Sequence, residues 1–224
     1  MGIVLGFFSL GCFLLLSVKA FTKRLKLKKL DNWLMRAHKM LSGLLFILCL
    51  LHIVFVFPVL QNRDILVVVS GVAAVIFMIL LIALCHMIKD AQKKMHWHRI
   101  LDIVMLLCLI GHVVFYYVDF HAYQQKVTDI VWEDVNVADI ADGIYEGEYD
   151  AGYIYARVEV EIRDGKMISI TLLEHRNERG KAAECIIDEI LEKQSIAVDA
   201  VSGATNSCNV IKKAVENAIS PLKK

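Results

Sequence analysis

Long apolar runs separated by short polar links occupy the first half of the chain. Four of these runs are poor in charge: Gly2–Val18, Trp33–Phe57, Ile65–Ile88 and Ile100–Val118. A helix needs about 20 residues to cross the hydrocarbon layer, and lipid offers no partner to an unpaired backbone group. The pattern therefore predicts a bundle of four transmembrane α-helices.

The pattern changes to short alternation after Ala141. Apolar and polar positions alternate on both sides of Asp164–Gly165, which predicts a half-buried β-hairpin closed by a two-residue turn. Apolar positions at helical spacing then predict amphipathic helices over Lys181–Lys193 and Val210–Ile219. These elements predict a small α+β domain in the second half of the chain.

Three parts follow from this division. Residues 1–120 form the α-helical membrane bundle, and residues 141–224 form the small α+β domain. Residues 121–140 between them are polar and mixed, and they are interpreted as a connector with a short amphipathic helix around Val131.

Charge separates the two halves further. Residues 1–118 contain 13 Lys and Arg against 4 Asp and Glu, whereas residues 119–224 contain 12 against 20. The basic residues are concentrated in the links 19–39 and 89–99, and such links remain in the cytoplasm. This predicts a multi-pass protein of the cell membrane whose N-terminus and acidic C-terminal domain lie outside. The acidic domain suits a basic redox partner, and nothing predicts a nucleic-acid partner.

The first apolar run has a second interpretation. The letters SVKA at residues 17–20 resemble a signal-peptide cleavage site, and LGC at residues 10–12 loosely resembles a lipidation box. The run lacks the basic segment with which a signal peptide begins. An uncleaved helix is therefore the favoured interpretation.

Two histidine pairs share one spacing. His38 and His52 lie 14 residues apart in the second run, and His98 and His112 lie 14 apart around the fourth. At about 3.6 residues per turn, 14 residues return to nearly the same helix face about 21 Å further along. Because both helices run from the cytoplasm outward, His38 should lie level with His98 and His52 level with His112.

Two facing imidazoles at two heights are what two bis-histidine haems require. The spacing resembles that of transmembrane bis-haem b cytochromes, which implies two haems b with these four histidines as axial ligands. The alternative is that each histidine only hydrogen-bonds between helices. Two interpretations also remain for Asp102, which either accepts a proton from a quinol near the inner pair or extends towards the membrane surface. The remaining membrane histidines are interpreted as interfacial: His86, His96 and His121.

Six cysteines are present. Four fall inside predicted helices, where the thiol packs as a small apolar group: Cys12, Cys49, Cys85 and Cys108. Cys185 and Cys208 fall in the predicted exported domain, where a disulfide between them is allowed but not required.

The stretch DAVSGATNS, residues 199–207, precedes the last predicted helix. Gly203 and Ala204 allow close approach of the backbone, and a helix start favours a phosphate. The residue types therefore fit a phosphate-binding turn that carries a hydroxyl. They also fit a simple helix cap, because Ser202, Thr205, Asn206 and Ser207 can all cap a helix.

The same residues resemble a known family. DxxSGAT at residues 199–205 is similar to the signature of the FMN-binding domain in subunits of the sodium-pumping NADH:quinone oxidoreductase and of the Rnf complex. DGxYEGE at 142–148, DGK at 164–166 and LEHRNERG at 173–180 recur in the family's order. The resemblance implies FMN joined to Thr205 by a phosphoester bond, which a flavin transferase installs outside the cytoplasm.

The resemblance also implies which residues contact the cofactor: Asp199, Ser202, Gly203, Ala204, His175 and Glu178. Arg179 departs from the small residue or proline that many family members have, and Asn177 precedes Glu178. We expect no catalytic side chains, because the cofactors supply the chemistry.

The favoured hypothesis is a membrane flavocytochrome, an electron-transfer component that links a quinol or cytoplasmic donor to an extracytoplasmic redox partner. Two alternatives remain. One is a haem-free FMN-carrying subunit or assembly component of a larger redox complex. The other is a redox sensor, although no output domain is recognisable.

Overall fold

The structure is a computed structural model that describes residues 1–22, 25–177 and 180–220, without the side chains of residues 19–21. It divides into two compact units at the bond between Tyr116 and Tyr117. The unit up to Tyr116 is called the helical unit below, and the unit from Tyr117 onwards is called the C-terminal domain.

Four α-helices form the first half of the chain: α1 (Gly2–Thr22), α2 (Lys28–Val56), α3 (Ile65–Met87) and α4 (Ala91–Thr128). A 3-10 helix, Phe57–Asn62, joins α2 to α3. Asp64 caps α3, because its carboxylate accepts a hydrogen bond of 2.7 Å from the amide of Leu66. The helical architecture of this half agrees with the prediction.

Three of these helical segments are long and apolar enough to cross a membrane: Lys28–Asn62, Ile65–Met87 and Ala91–Thr128. The apolar stretch of α1 is shorter, Gly2–Val18. Only a few large side chains are buried at the centre of the helical unit, among them Phe13, Leu45 and Met78. Most apolar side chains of the spanning segments face outward, as a lipid environment requires.

Helix α4 is longer than the apolar run that predicted it. It continues through polar residues to Thr128, because Phe120, Tyr123 and Val127 recur at helical spacing and face the core of the C-terminal domain. Val131 follows the end of α4, is exposed and is not helical. The short helix predicted around Val131 is therefore wrong.

A three-stranded antiparallel sheet forms the centre of the C-terminal domain, in the order β1 (Gly143–Asp150), β2 (Tyr155–Arg163) and β3 (Lys166–Arg176). Asp164 and Gly165 close the β2–β3 hairpin with φ angles of 51° and 70°. Two consecutive positive φ angles match the twist of a two-residue hairpin. The predicted hairpin and its turn are confirmed.

The predicted amphipathic helices are confirmed, the first with the predicted outer bounds and the second with an earlier start. The first consists of a 3-10 turn, Lys181–Cys185, followed by α5 (Ile186–Lys193). The second, α6 (Thr205–Ile219), begins five residues before the predicted start at Val210. It covers the inner face of β1 and β2 with fully buried side chains: Val210, Ile211, Ala214 and Val215.

Gly147 explains how β1 and α6 can lie so close. A Cβ atom at this position would stand 2.3 Å from the carbonyl oxygen of Ala214 and 2.3 Å from the amide of Ala218. Only glycine fits such an approach of strand and helix backbones.

The segment that was interpreted as a connector is bonded to the C-terminal domain. The carboxylate of Asp134 accepts hydrogen bonds from the hydroxyl of Ser195 at 2.7 Å and from the amide of Ile196 at 3.0 Å. The amide of Glu133 donates to the carboxylate of Glu216 at 3.2 Å. Residues 121–140 therefore lie within this domain as the structure divides it.

Candidate functional site

A tight turn leads into α6. The amide of Ala204 donates a hydrogen bond of 3.0 Å to the carbonyl of Val201, and Gly203 has a φ of 80°. A positive φ at the third position is the mark of a type II turn, which glycine adopts without strain. Residues Asp199–Thr205 are called the attachment loop below. Its tip, Ser202 and Gly203, is exposed.

Thr205 is exposed and is the first residue of α6. The N-cap residue is Ala204, and no side chain of the described residues caps the helix start. The interpretation of DAVSGATNS as a simple helix cap is therefore wrong. Amide groups in the first turn of a helix lack intrahelical partners and favour a phosphate, so the threonine hydroxyl lies where a phosphate is well accommodated.

The buried side chain of Cys208 binds the backbone of the attachment loop. Its sulfur accepts a hydrogen bond of 3.3 Å from the amide of Val201, and the residue is 0% exposed. Burial raises the pKa of the Cys208 thiol, so the neutral form is favoured. All six cysteines lie in the described residues and are free thiols, so no disulfide joins Cys208 to the exposed Cys185.

An aromatic pair is linked to Asn206, the residue after Thr205. The side-chain amide of Asn206 donates a hydrogen bond of 3.2 Å to the hydroxyl of Tyr123, near the end of α4. The rings of Tyr123 and Tyr153 are stacked, with centroids 4.5 Å apart and an interplanar angle of 13°. Tyr153 donates in turn to the carboxylate of Asp119 at 2.7 Å. Sequence reasoning missed both tyrosines, and only the helical spacing of Phe120 and Tyr123 hinted at a buried face.

His175 lies at the end of β3 with a side chain that is 2% exposed. Its Nδ1 donates to the carboxylate of Glu184 at 3.0 Å, while its Nε2 is buried and has no hydrogen-bond partner among the described residues. A buried acceptor without a partner costs free energy unless a ligand supplies one. Glu178 and Arg179, which follow His175 in the motif, lie outside the described residues.

The backbone after β3 approaches the first turn of α6. A Cβ atom on Gly180 would stand 1.9 Å from the hydroxyl oxygen of Ser207 and 3.7 Å from the Cβ of Asn177. Close contact at Gly180 therefore brings the segment after His175 against the helix that begins at Thr205. The structure thus joins two predicted parts of the site, the end of β3 and the attachment loop. The unpartnered Nε2 of His175 and the uncapped start of α6 are compatible with a bound flavin phosphate such as FMN.

The four histidines predicted as ligands share one property in the helical unit. All are half-buried, whereas the three that were interpreted as interfacial are exposed: His86, His96 and His121. The ring centroids of His38 and His98 are 6.2 Å apart with an interplanar angle of 45°. Imidazole nitrogen binds a metal at about 2 Å, so two rings on opposite sides of one metal have centroids about 6 Å apart.

The outer pair repeats one arrangement twice. The Nδ1 of His52 donates to the carbonyl of Gly2 at 2.8 Å, and the Nδ1 of His112 lies 3.1 Å from the carbonyl of Val67. Each carbonyl is followed one turn later by a glycine that faces the same ring, Gly6 for His52 and Gly71 for His112. A Cβ atom on Gly6 would stand 3.0 Å from the Cε1 of His52, and one on Gly71 would stand 3.1 Å from the Cε1 of His112.

Hydrogen bonds to Nδ1 leave Nε2 as the nitrogen that can bind a metal, and such bonds to carbonyl groups orient metal-binding histidines. The inner pair thus has a ring separation that two imidazoles on one metal would have, and the outer pair has Nδ1 atoms bound so that Nε2 is left for a ligand. Within residues 1–22, 25–177 and 180–220, no group of three or more His, Cys, Asp or Glu could hold a metal ion. A haem needs only two axial side chains.

Asp102 lies near the inner histidine pair. Its half-buried carboxylate accepts a hydrogen bond of 3.4 Å from the hydroxyl of Ser17 on α1, and its charge interacts with His98 and His38. The carboxylate is thus held inside the helical unit by Ser17, which agrees poorly with a side chain that extends freely towards a membrane surface.

These features define a domain that can carry a phosphorylated flavin at a helix start, attached to an apolar helical unit. Residues 151–220 match the family model of the FMN-binding domain. The match supports the resemblance stated from DxxSGAT and indicates a flavin-carrying electron-transfer component. No curated protein and no solved structure matches the chain significantly.

Proposed function

We propose that the chain is a membrane flavocytochrome that carries electrons across the membrane, through two b-type haems, to FMN bound covalently at Thr205. The observation that carries the proposal is the family match over residues 151–220, which includes an attachment loop with one exposed threonine at the start of α6. The apolar helices support a place in the cell membrane.

The attachment loop would hold the flavin phosphate. The hydroxyl of Thr205 forms a phosphoester bond when it displaces a leaving group from an activated flavin phosphate such as FAD, in which FMN is held by a phosphoanhydride bond. The Oγ–P bond forms, the anhydride P–O bond breaks with release of AMP, and the hydroxyl proton is lost to a base. A flavin transferase is the partner for this step. Bound FMN supplies one- and two-electron chemistry.

Asp199, Ser202, Gly203 and Ala204 would shape the loop around the phosphate, and His175 would receive a hydrogen bond from the cofactor at its unpartnered Nε2. Glu178 is proposed as a second flavin contact on the resemblance alone. We assign no catalytic side chain, since these residues bind and orient the cofactor.

In the helical unit, His38 with His98 and His52 with His112 would hold the two haems. The proposal is supported by the 6.2 Å separation of the inner rings and by the carbonyl groups that bind Nδ1 of the outer rings. A haem supplies single-electron chemistry at its iron, while the histidines fix its orientation.

The arrangement in the membrane is inferred from loop charge. Four spans, with α1 as the first, place the N-terminus and the C-terminal domain outside and the basic links 19–39 and 89–99 in the cytoplasm. The donor is then a quinol or a cytoplasmic dehydrogenase, and the acceptor is an extracytoplasmic redox protein with a basic contact surface.

A second candidate is a haem-free FMN-carrying subunit or assembly component of a larger redox complex. The hydrogen bonds of His52 and His112 favour it, because each ring also joins two helices of the bundle. In that case the histidines only pack the helical unit.

One pair of measurements decides between the two candidates. The full chain, co-expressed with a flavin transferase, is purified in detergent and its absorption spectrum is recorded before and after dithionite. We expect a reducible b-type haem band at two haems per chain, and flavin fluorescence that stays with the denatured band on a gel. Fluorescence without a haem band would favour the haem-free candidate, and the absence of both signals would overturn the proposal.

A further inference from the structure

Lys212 is a buried charged side chain that the proposed function does not use. It lies on the inner face of α6, two turns after Thr205, and is 2% exposed. Its ammonium group donates to the carbonyl of Val198 and lies 4.5 Å from the ring centroid of Trp132. Burial of an ammonium group is costly unless such partners replace water.

Lys212 and Cys208 are four residues apart and therefore share one face of α6. Cys208 accepts a hydrogen bond from the amide of Val201, and Lys212 donates one to the carbonyl of Val198. The two side chains thus bind the backbone at both ends of the segment Val198–Val201, which leads into the turn before Thr205.

The charge of Lys212 is also matched to the loop. Asp199, the first residue of the attachment loop, interacts electrostatically with the ammonium group, as do Cys208 and Glu189. Trp132 lies against the ammonium group from residues before β1, and a cation over an aromatic face is attracted to it. The buried ammonium group of Lys212 on α6 therefore binds the backbone immediately before the attachment loop.

We propose that Lys212 is a positioning residue for flavin attachment: through its hydrogen bond to the carbonyl of Val198, its cation holds the attachment loop in the conformation that presents the Thr205 hydroxyl. The inference rests on the proposed covalent flavin. It concerns how fast and how uniformly Thr205 is modified, and it requires no haem.

The test uses the full chain in detergent, expressed without flavin transferase and then incubated with purified transferase and FAD. Lys212→Met removes the charge and keeps the length of the side chain, whereas Lys212→Arg keeps the charge. Lys213→Met is the matched control, because Lys213 is the neighbouring lysine and binds the carbonyl of Val131 and the carboxylate of Glu216 rather than the backbone before the attachment loop. In-gel flavin fluorescence gives the rate at saturating and at limiting transferase.

For Lys212→Met we expect the rate at saturating transferase to fall by at least about tenfold, the scale of one lost hydrogen bond to a charged group. Lys212→Arg should recover most of the rate, and Lys213→Met should stay within about twofold of the parent, because Lys213 bonds to Val131 and Glu216 and not to the backbone before the attachment loop. Circular dichroism at the assay temperature checks that each variant is folded.

The pH dependence separates positioning from a purely structural role. Burial lowers the pKa of Lys212, while Cys208, Asp199 and Glu189 oppose that shift. As pH rises through this lowered pKa, the native chain loses a proton that the unfolded chain keeps, so the free energy of unfolding rises. The rate of flavin attachment should fall over the same pH range, and this decrease should be absent from Lys212→Met.

An unchanged attachment rate in folded Lys212→Met, or an equal loss in Lys213→Met, would overturn the inference. If Lys212→Met does not fold, the test is the pH series on the parent and on Lys213→Met. A flavin-attachment rate that rises with pH, together with the free energy of unfolding, would also overturn the inference. Parent protein that takes up no flavin at Thr205 would overturn the proposed function as well, so the two failures are distinguishable.

Discussion

Large apolar side chains face outward on α1 to α4 but inward in the C-terminal domain. In the helical unit many leucine, isoleucine and phenylalanine side chains are exposed, and the few buried ones, such as Phe13 and Met78, lie at the centre of the bundle. In the C-terminal domain, Val158, Val160 and Val215 are fully buried against one another. These opposite surfaces are what lipid around the helical unit and water around the C-terminal domain would select.

The two units also hold their candidate cofactors differently. The helical unit offers side chains, four histidines at fixed helical spacing, and its backbone only orients them. The C-terminal domain offers mainly backbone, a turn and a helix start, and its buried side chains orient that backbone. A substitution should therefore affect one cofactor and leave the other in place.

The largest expected effect is at Thr205. Thr205→Ala removes the only hydroxyl that the proposal gives to the flavin, so fluorescence of the denatured band should disappear while the haem band stays. Thr171→Ala, which removes an exposed threonine hydroxyl from β3, is the control and should retain fluorescence. Retained fluorescence in Thr205→Ala would place the flavin elsewhere.

The next effect concerns the histidines of the helical unit. Under the proposed function, His52→Ala or His112→Ala should remove about one of the two haems, because each variant would lose one of the outer haem's two histidine ligands. Attached flavin should not change. His86→Ala is the matched control, since its exposed ring bonds to the carbonyl of Ile82 in its own helix. The haem-to-protein ratio from a pyridine haemochrome spectrum measures the result, and equal haem in all three variants would contradict the ligand assignment.

Two glycines test the packing contrast directly. Gly180→Ala places a methyl group 1.9 Å from the hydroxyl oxygen of Ser207, and such overpacking costs about 1–3 kcal/mol. Gly43→Ala in α2 meets nothing within 4 Å and should be neutral or stabilising, because alanine favours a helix by about 0.5–1 kcal/mol. Hydrogen exchange of amides in β2 and in α2 reports each unit separately.

In the double variant Gly180→Ala with Ser207→Ala, we expect the free energy of unfolding to recover in part. The hydroxyl oxygen is removed, but the Cβ of Ser207 stays 2.6 Å from the added methyl group. A stable Gly180→Ala protein would mean that the segment after β3 can move away from α6.

The smallest expected effect is at Tyr123. Tyr123→Phe keeps the stack on Tyr153 but removes the hydrogen bond from Asn206, which contributes about 0.5–1.5 kcal/mol. We expect a small loss of protection in the first turn of α6 and a lower anisotropy of the attached flavin. Tyr145→Phe, which loses an exposed hydrogen bond to Ala141, should change neither.

Periodicity predicted the elements whose signal is local. The Asp164–Gly165 hairpin needs only alternation and two residues that accept positive φ, and the histidine pairs need only a spacing. The end of α4 was missed because hydropathy marks the apolar part of a helix, whereas α4 continues through polar residues on a face that contacts the C-terminal core.

The support of the attachment loop could not be predicted for a related reason. Lys212 meets Trp132 and Asn206 meets Tyr123 across about 80 residues of sequence, and each contact depends on how α6 packs on the sheet. Sequence identified Thr205 through a motif. The side chains that position it belong to the tertiary fold, which no spacing rule describes.

The packing of α6 on the sheet has a consequence for biogenesis. The helix follows all three strands in the chain, and Gly147 of β1 lies against its backbone at Ala214 and Ala218. The attachment loop therefore gains its shape only after the last helix of the domain has been synthesised and has docked, a long-range step that is slow compared with hairpin formation. Under the proposed function, addition of the flavin would then act as a checkpoint, because a chain in which α6 has not docked would offer a flavin transferase no finished acceptor.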